Sequence, residues 1–167
     1  QVNNIQTLVS EFSNFARMPE SKFKEVKLNS MIDSQIKTIK ILDNKIKVIY
    51  KNDYKELKIS CDKNQLERVF LNILKNSYES SSKNKKIISI QVLKEKKHVV
   101  IIIEDNGKGF PENRDKLFEP YITNKVNGTG LGLAICKKII EDHGGEINLL
   151  DSEEYGGACV RLKFIRV

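Results

Sequence analysis

Glu104-Asp105-Asn106-Gly107-Lys108-Gly109-Phe110 directly follows an apolar run, Val99 to Ile103, and the reading of this stretch decides the fold. Asn-Gly between two strands is a strong hairpin signal, and taken alone the stretch is a turn. Against that, it carries a second glycine at Gly109, and a long glycine-bearing segment, Asp105 to Gly130, precedes the next helical pattern. Both are more than a turn requires. Asp105 stands at the strand end, where its carboxylate can accept a hydrogen bond from an adenine amino group.

Working outward, Ile87 to Lys94 and His98 to Glu104 predict a hairpin of strands rich in Ile and Val. Upstream, Asp62 is a helix cap with Gln65 three residues on as a capping box, and Leu66, Val69, Phe70, Ile73 and Leu74 form the buried face. That helix runs to Ser80-Ser81-Ser82. Before it lie an edge strand, Lys24 to Leu28, and a helix capped by Asn29 that carries Met31, Ile32, Ile36, Ile39 and Ile41. Strands are expected at Lys45 to Tyr50 and Glu56 to Ser60. Downstream, a helix from Leu131 to Asp142 ends in His143-Gly144-Gly145. Strands Glu146 to Leu150 and Ala158 to Ile165 follow, joined through Gly156-Gly157. Helices segregated from a mixed, largely antiparallel sheet predict an α+β fold, a two-layer α/β sandwich.

The first segment is separate in kind. Val2, Ile5, Val9, Phe12 and Ala16 recur at spacings of three and four, with Leu8 and Phe15 broadening the stripe, until Met18-Pro19 ends the helix. Such a helix either folds back on the core or forms half of a helical hairpin. Gln1 opens inside the pattern without an initiator Met, which favours the hairpin and predicts a piece of a longer protein. The expected division is residues 1 to 20 for the hairpin remnant and 21 to 167 for the main domain.

Hydrophobic residues at 40% and charged residues at 31% describe a globular domain with a core, not a disordered chain. No apolar run approaches the roughly 18 residues of a spanning helix, so no membrane contact is expected of this piece. The net charge of +7 is dispersed among interleaved acids, which argues for a solvated surface and against nucleic acid. Cys61, Cys136 and Cys159 form no C-x-x-C pair and sit among apolar neighbours, as small core residues of a reducing compartment.

Two further features carry chemistry. Asn72 and Asn76 lie four apart on one helix, so their carboxamides share a face. Either both face water, or Asn76 offers its side-chain oxygen to Mg2+, a hard ion that takes oxygen ligands. Gly128-Thr129-Gly130-Leu131-Gly132-Leu133 opens a helix, where glycines allow close approach and free amides attract phosphate. Its spacing fits neither a dinucleotide fingerprint nor a P-loop, and the H-R-D and D-F-G motifs of protein kinases are absent.

In order and separation, Asn72-Ile73-Leu74-Lys75-Asn76, Asp105 to Phe110, Leu117-Phe118-Glu119-Pro120-Tyr121 and Gly128 to Leu133 resemble the N, G1, F and G2 boxes of sensor histidine kinases. The resemblance covers residues 25 to 167. The leading Glu11-Phe12-Ser13-Asn14-Phe15-Ala16-Arg17-Met18-Pro19 is similar to the end of the dimerisation helix pair in nitrogen-regulation sensors of the NtrY type. It implies an ATP site with Asn76 as the Mg2+ ligand, Asn72 nearby, Lys75 assisting, and Asp105 reading the adenine. Gly107, Gly109 and Phe110 would shape that pocket. Pro111 to Asn127 would be a mobile lid, with Lys125 near the phosphates and Gly128, Thr129, Gly130, Leu131 and Gly132 beneath them.

ATP-hydrolysing relatives such as gyrase and MutL carry a water-activating glutamate where this helix has Asn72, and an amide cannot serve as that base. The γ-phosphate is thus reserved for another nucleophile. The resemblance implies a histidine on a dimerisation helix, then the aspartate of a response-regulator receiver domain. It also implies a homodimer, in the cytoplasmic part of a membrane-anchored bacterial sensor. The histidines here, His98 in a Lys-rich hairpin and His143 at a helix end, read as structural or solvent-facing. At His143 a cation would favour the helix dipole. No self-phosphorylation is expected. Ala158 stands where many relatives have a threonine that supports adenine binding. The competing class is a non-catalytic scaffold of the same fold, against which the presence of Asn76, Asp105 and Gly128 to Gly132 counts.

Overall fold

A computed structural model describes residues 2–82, 84–123, 125 and 128–166, with side chains from residue 5 onward. The Val2 side chain of the first seam and Asn127 at the end of the expected lid lie outside the described residues.

Five strands form the main sheet in the order β2 (Lys47–Lys51), β4 (Ile87–Lys94), β5 (His98–Asp105), β7 (Ala158–Ile165) and β6 (Glu146–Asp151). β2 pairs parallel to β4, and every other pairing is antiparallel. Alternation along the strands puts one apolar set on one face. Ile90 lies opposite Ile103, Ile103 opposite Val160, Ile101 opposite Leu162, and Val160 opposite Leu149. All of these are buried. Central β5 reads as an unbroken apolar run because Val100, on the other face, is buried too.

Three helices cover the apolar face: α2 (Leu28–Leu42), α3 (Lys63–Ser80) and α4 (Gly132–Asp142). Their buried stripes, Leu28, Met31, Ile32, Ile36 and Ile39 on α2, Leu66, Val69, Phe70, Ile73 and Leu74 on α3, and Ile135, Cys136, Ile139 and Ile140 on α4, share one core with the strands. Each such side chain contributes about 1.5–3 kcal/mol by leaving water. β1 (Lys24–Lys27) and β3 (Lys58–Cys61) make a separate two-stranded sheet. The expected two-layer sandwich is the observed fold, with strand ends displaced by one or two residues.

Local chemistry differs from expectation at three places. Asn29 does not cap α2; the cap position is Lys27, without a side-chain bond. Asn29 instead accepts from the Tyr50 hydroxyl at 3.0 Å and donates to Asp33 at 3.0 Å, tying the helix to β2. Asp62 does cap α3, accepting from Gln65 N at 3.1 Å, but the capping box is only half made. The Gln65 side chain is turned to the connector, donating to Pro19 O and accepting from Ser21. The Asp62 N–H donates to His143 Nε2 at 3.0 Å, while His143 Nδ1 sits 2.7 Å from Ile139 O and donates to it. His143 therefore serves as a neutral stitch between α3 and α4, not as a cation on the dipole.

The first helix, α1 (Val2–Ala16), splits its apolar residues between two directions. Phe15, and Met18 just past the helix end, pack on the core, whereas Ile5, Val9 and Phe12 are exposed. Both readings of the seam thus have a face: Phe15 folds back, while Ile5 and Val9 stay open to solvent.

Candidate functional site

α3 carries a polar stripe opposite its buried one: Asn72, Asn76, then Glu79 and Ser80, at spacings of three and four. Its C-terminal end meets the end of β5, where Asp105 is only 1% exposed. Asp105 Oδ1 accepts from Gly107 N at 2.8 Å, Ala158 N at 3.1 Å and Ser80 Oγ at 3.4 Å. Two backbone amides and a hydroxyl on one oxygen fix the carboxylate's rotation, so its second oxygen has a set direction. Gly107 and Gly157 make this possible, since a Cβ on either would overlap the carboxylate. Gly109, at φ +76°, turns the chain past the Gly157 carbonyl, and Phe110 then packs on the core. Buried Asn106 pins the loop to the start of β4, accepting from Ile87 N at 3.0 Å and donating to Lys85 O at 2.9 Å.

One helical turn before Ser80, Asn76 Oδ1 holds a cation. Lys125 Nζ donates to it at 2.9 Å and to Glu79 Oε2 at 2.5 Å. Lys75 lies 3.8 Å from the other Glu79 oxygen. The ammonium marks Asn76 Oδ1 as an oxygen that receives positive charge, and a neutral hard oxygen of this kind suits Mg2+. The Cys136 thiol of α4, near Asn72, donates to Val69 O at 3.9 Å. Burial drives that thiol up to about 12, so Cys136 is a core residue without nucleophilic use.

The segment between β5 and α4 is fastened at its base and pinched at its neck. Arg114, before the short 3-10 helix Asp115–Phe118, donates to Asp151 at 2.5 Å and to Leu149 O at 3.4 Å. Tyr121 N donates to Gly130 O at 3.0 Å, with both residues at φ +69°. Between them, Gly128 N closes a turn onto Lys125 O at 3.1 Å. Thr129 donates to the Glu11 carboxylate of α1, and Phe12 stacks on Tyr121 with ring centroids 6.3 Å apart. Leu131 is wholly buried, so only its backbone can face a ligand, and open space lies before Gly132, the first residue of α4.

Six of the thirteen candidate residues thus meet in two groups, while Gly128 to Gly132 lie at the neck, Phe110 on the core and Asn72 near Cys136. Asn76, Lys75 and Lys125 meet around Glu79; Asp105, Gly107 and Gly109 meet around Gly157, with Ser80 linking the second group to α3. Sequence reading missed Glu79, Ser80 and Gly157. Glu79 had a signal, its place three residues after Asn76 on the same face, whereas Gly157 touches Asp105 across a long separation that no local pattern reports. Two open clefts, one lined by Ile5, Gln6 and Val9 and one by Asn52, Asp53 and Tyr54, contain none of these residues. Converging donors and acceptors, not cavity size, mark this site.

Residues 61–166 match the family model described as histidine kinase-, DNA gyrase B-, and HSP90-like ATPase. The chain is 35% identical over 164 residues to an NtrY-like sensor histidine kinase of Rickettsia bellii, covering 97% of this chain and 27% of that protein. It therefore spans about a quarter of that relative's length. The catalytic domain of the histidine kinase ThkA superposes with a TM-score of 0.77 at 30% identity, over 87% of this chain and 96% of that one. The ThkA histidine kinase in complex with the response regulator protein TrrA superposes with a TM-score of 0.83 at 25% identity, over 99% of this chain and 48% of that one.

Proposed function

This chain belongs to the histidine kinase-, DNA gyrase B- and HSP90-like ATPase family, and we propose that it is the ATP-binding catalytic domain of an NtrY-type sensor histidine kinase. Residues 21 to 167 are the catalytic domain, and 1 to 20 the end of a dimerisation helix pair. The observation that carries this reading is the pairing of a cation-holding oxygen, Asn76 Oδ1, with the rotationally fixed carboxylate of Asp105, which meets α3 at Ser80, one turn after Asn76.

Asp105 accepts from the adenine amino group, a contact made selective by the buried surroundings in which an unpaired amine or carboxylate is costly. Gly107 and Gly157 keep the base-binding wall thin. Asn76 would hold Mg2+, which would supply charge neutralisation on the triphosphate. Lys125, with Lys75 assisting, faces the phosphates, and the amides at the start of α4 receive them. With an amide, Asn72, in place of a carboxylate base, water is not activated, and the γ-phosphate passes to a histidine on the dimerisation helix. From there it goes to a receiver-domain aspartate; the likeness to ThkA, solved with its response regulator, supports that partner. Among the described residues no helix is long and apolar enough to cross a membrane.

Neither histidine of this chain is an acceptor. His143 has both ring nitrogens in structural bonds, and His98 lies 3.9 Å from Glu95 at the opposite end of β5 from Asp105. With γ-labelled ATP, the chain alone acquires no acid-labile label, while a longer protein that includes the dimerisation helix does. Label mapped to His98 or His143 overturns this assignment.

A further inference from the structure

Glu79 has no part in the reading above, yet it holds the residues that reading needs at the phosphates. Its two carboxylate oxygens face two lysines, Lys125 at 2.5 Å and Lys75 at 3.8 Å. In the protein without nucleotide, Glu79 is thus the anion to which both cations turn. The same contact places Lys125 Nζ 2.9 Å from Asn76 Oδ1. A Mg2+ would take the same oxygen at about 2.1 Å, and two cations drawn to one acceptor repel strongly. Lys125 and Mg2+ therefore exclude one another at Asn76 while Glu79 keeps the lysine there.

We propose that Glu79 is a positioning residue of the nucleotide site: its carboxylate parks Lys125 on Asn76 Oδ1, and binding of Mg-nucleotide exchanges the lysine for the metal. The inference rests on the nucleotide reading of Asn76 and Lys125 given above. The triphosphate is the stronger anion and draws Lys125 off Glu79, vacating Asn76 as the metal arrives. Mg2+ alone, with no phosphates to take Lys125, finds Asn76 blocked. The parking contact must be weak for this exchange to work, and it is: the Lys125 and Glu79 side chains are 41% and 34% exposed. Such a pair competes with the ligand without preventing it.

The test is a double-mutant cycle read by calorimetry with Mg2+ and a non-hydrolysable ATP analogue. Glu79→Gln should tighten binding about two- to fivefold, the scale of an exposed ion pair, and should do so only when Lys125 is present, with no gain in Lys125→Ala. Weaker or unchanged binding in Glu79→Gln overturns the proposal, as does an equal gain in both backgrounds. A second readout needs no nucleotide: acylation of Lys125 by an amine reagent, followed by mass spectrometry, should be faster in Glu79→Gln than in the unaltered chain. Equal rates overturn the parking contact. Absence of any nucleotide binding with a faster Lys125 rate would instead sink the nucleotide reading and, with it, the exchange.

Discussion

Gly157 lies against Asp105 with no room for a side chain between them: a Cβ at residue 157 would overlap the carboxylate Oδ1, the Asp105 carbonyl oxygen and Gly107 N. Gly157→Ala must therefore break the bonds from Gly107 and Ala158 or push β7 off β5. The expected cost is about 1–3 kcal/mol in denaturant unfolding, with nucleotide binding lost in the fraction that stays folded.

Gly130 combines φ +69° with a Cβ position 2.5 Å from the Tyr121 carbonyl carbon. Gly130→Ala adds steric overlap to a left-handed strain of about 1–2 kcal/mol, beside the buried Leu131. Thermal stability should fall modestly, by no more than about 2 kcal/mol, and nucleotide affinity should fall more than stability does. Unchanged affinity would show that the neck between Tyr121 and Gly130 is irrelevant to the ligand.

Ile5 and Val9 are 63% and 59% exposed on α1, so replacing both by Ser removes little buried surface. Global stability of the domain should stay within about 0.5 kcal/mol of the unaltered chain. A larger loss would mean that the hairpin face of α1 is covered by the domain itself.

Asp62 tests the pH dependence. Burial raises its pKa, but hydrogen bonds from the backbone N–H groups of Lys22, Gln65 and Asn64 outweigh this, and the net shift is downward. A depressed carboxylate stabilises the fold above its unfolded pKa of about 3.9 and loses that contribution as pH falls through the lower folded value. Asp62→Ala should cost about 1 kcal/mol at pH 7, and the difference from the unaltered chain should close in urea unfolding below about pH 4. A gap that persists at acid pH would mean that the charge of Asp62 contributes nothing.

All three cysteines are buried, and burial pushes the thiols of Cys61 and Cys159 up to about 11. None should react with a disulfide reagent at pH 8 on the time scale of minutes, and all three should react once the chain is unfolded. A fast thiol in the native protein would place one of them at the surface.

How far the sequence reached follows from the range of each interaction. The strands β4 and β7 and the helices α3 and α4 were legible to within a residue or two because their apolar periods are strong and their ends carry Asp62, Ser81 and Gly144. Asn29 misled because its side chain found Tyr50 across the fold, a partner more favourable there than its own helix end. Gln65 misled likewise, taken by Pro19 and Ser21. In the site, Asn76, Asp105 and Gly107 could be named from motif spacing. The cradle that fixes Asp105 could not, since Ser80, Gly157 and Ala158 reach it only after the sheet has formed.

The central claim is that Asp105 reads a nucleotide base beside a metal-dependent phosphate site, and titration calorimetry with a non-hydrolysable ATP analogue tests it most directly. Asp105→Asn keeps an acceptor for the bonds on Oδ1 but turns the other oxygen into a donor, so the fold survives while the adenine amino group loses its acceptor. The account predicts saturable binding that weakens when Mg2+ is chelated and disappears in Asp105→Asn of unchanged stability. Binding that persists undiminished in that variant, or no heat from the folded, unaltered chain at millimolar analogue, would contradict it.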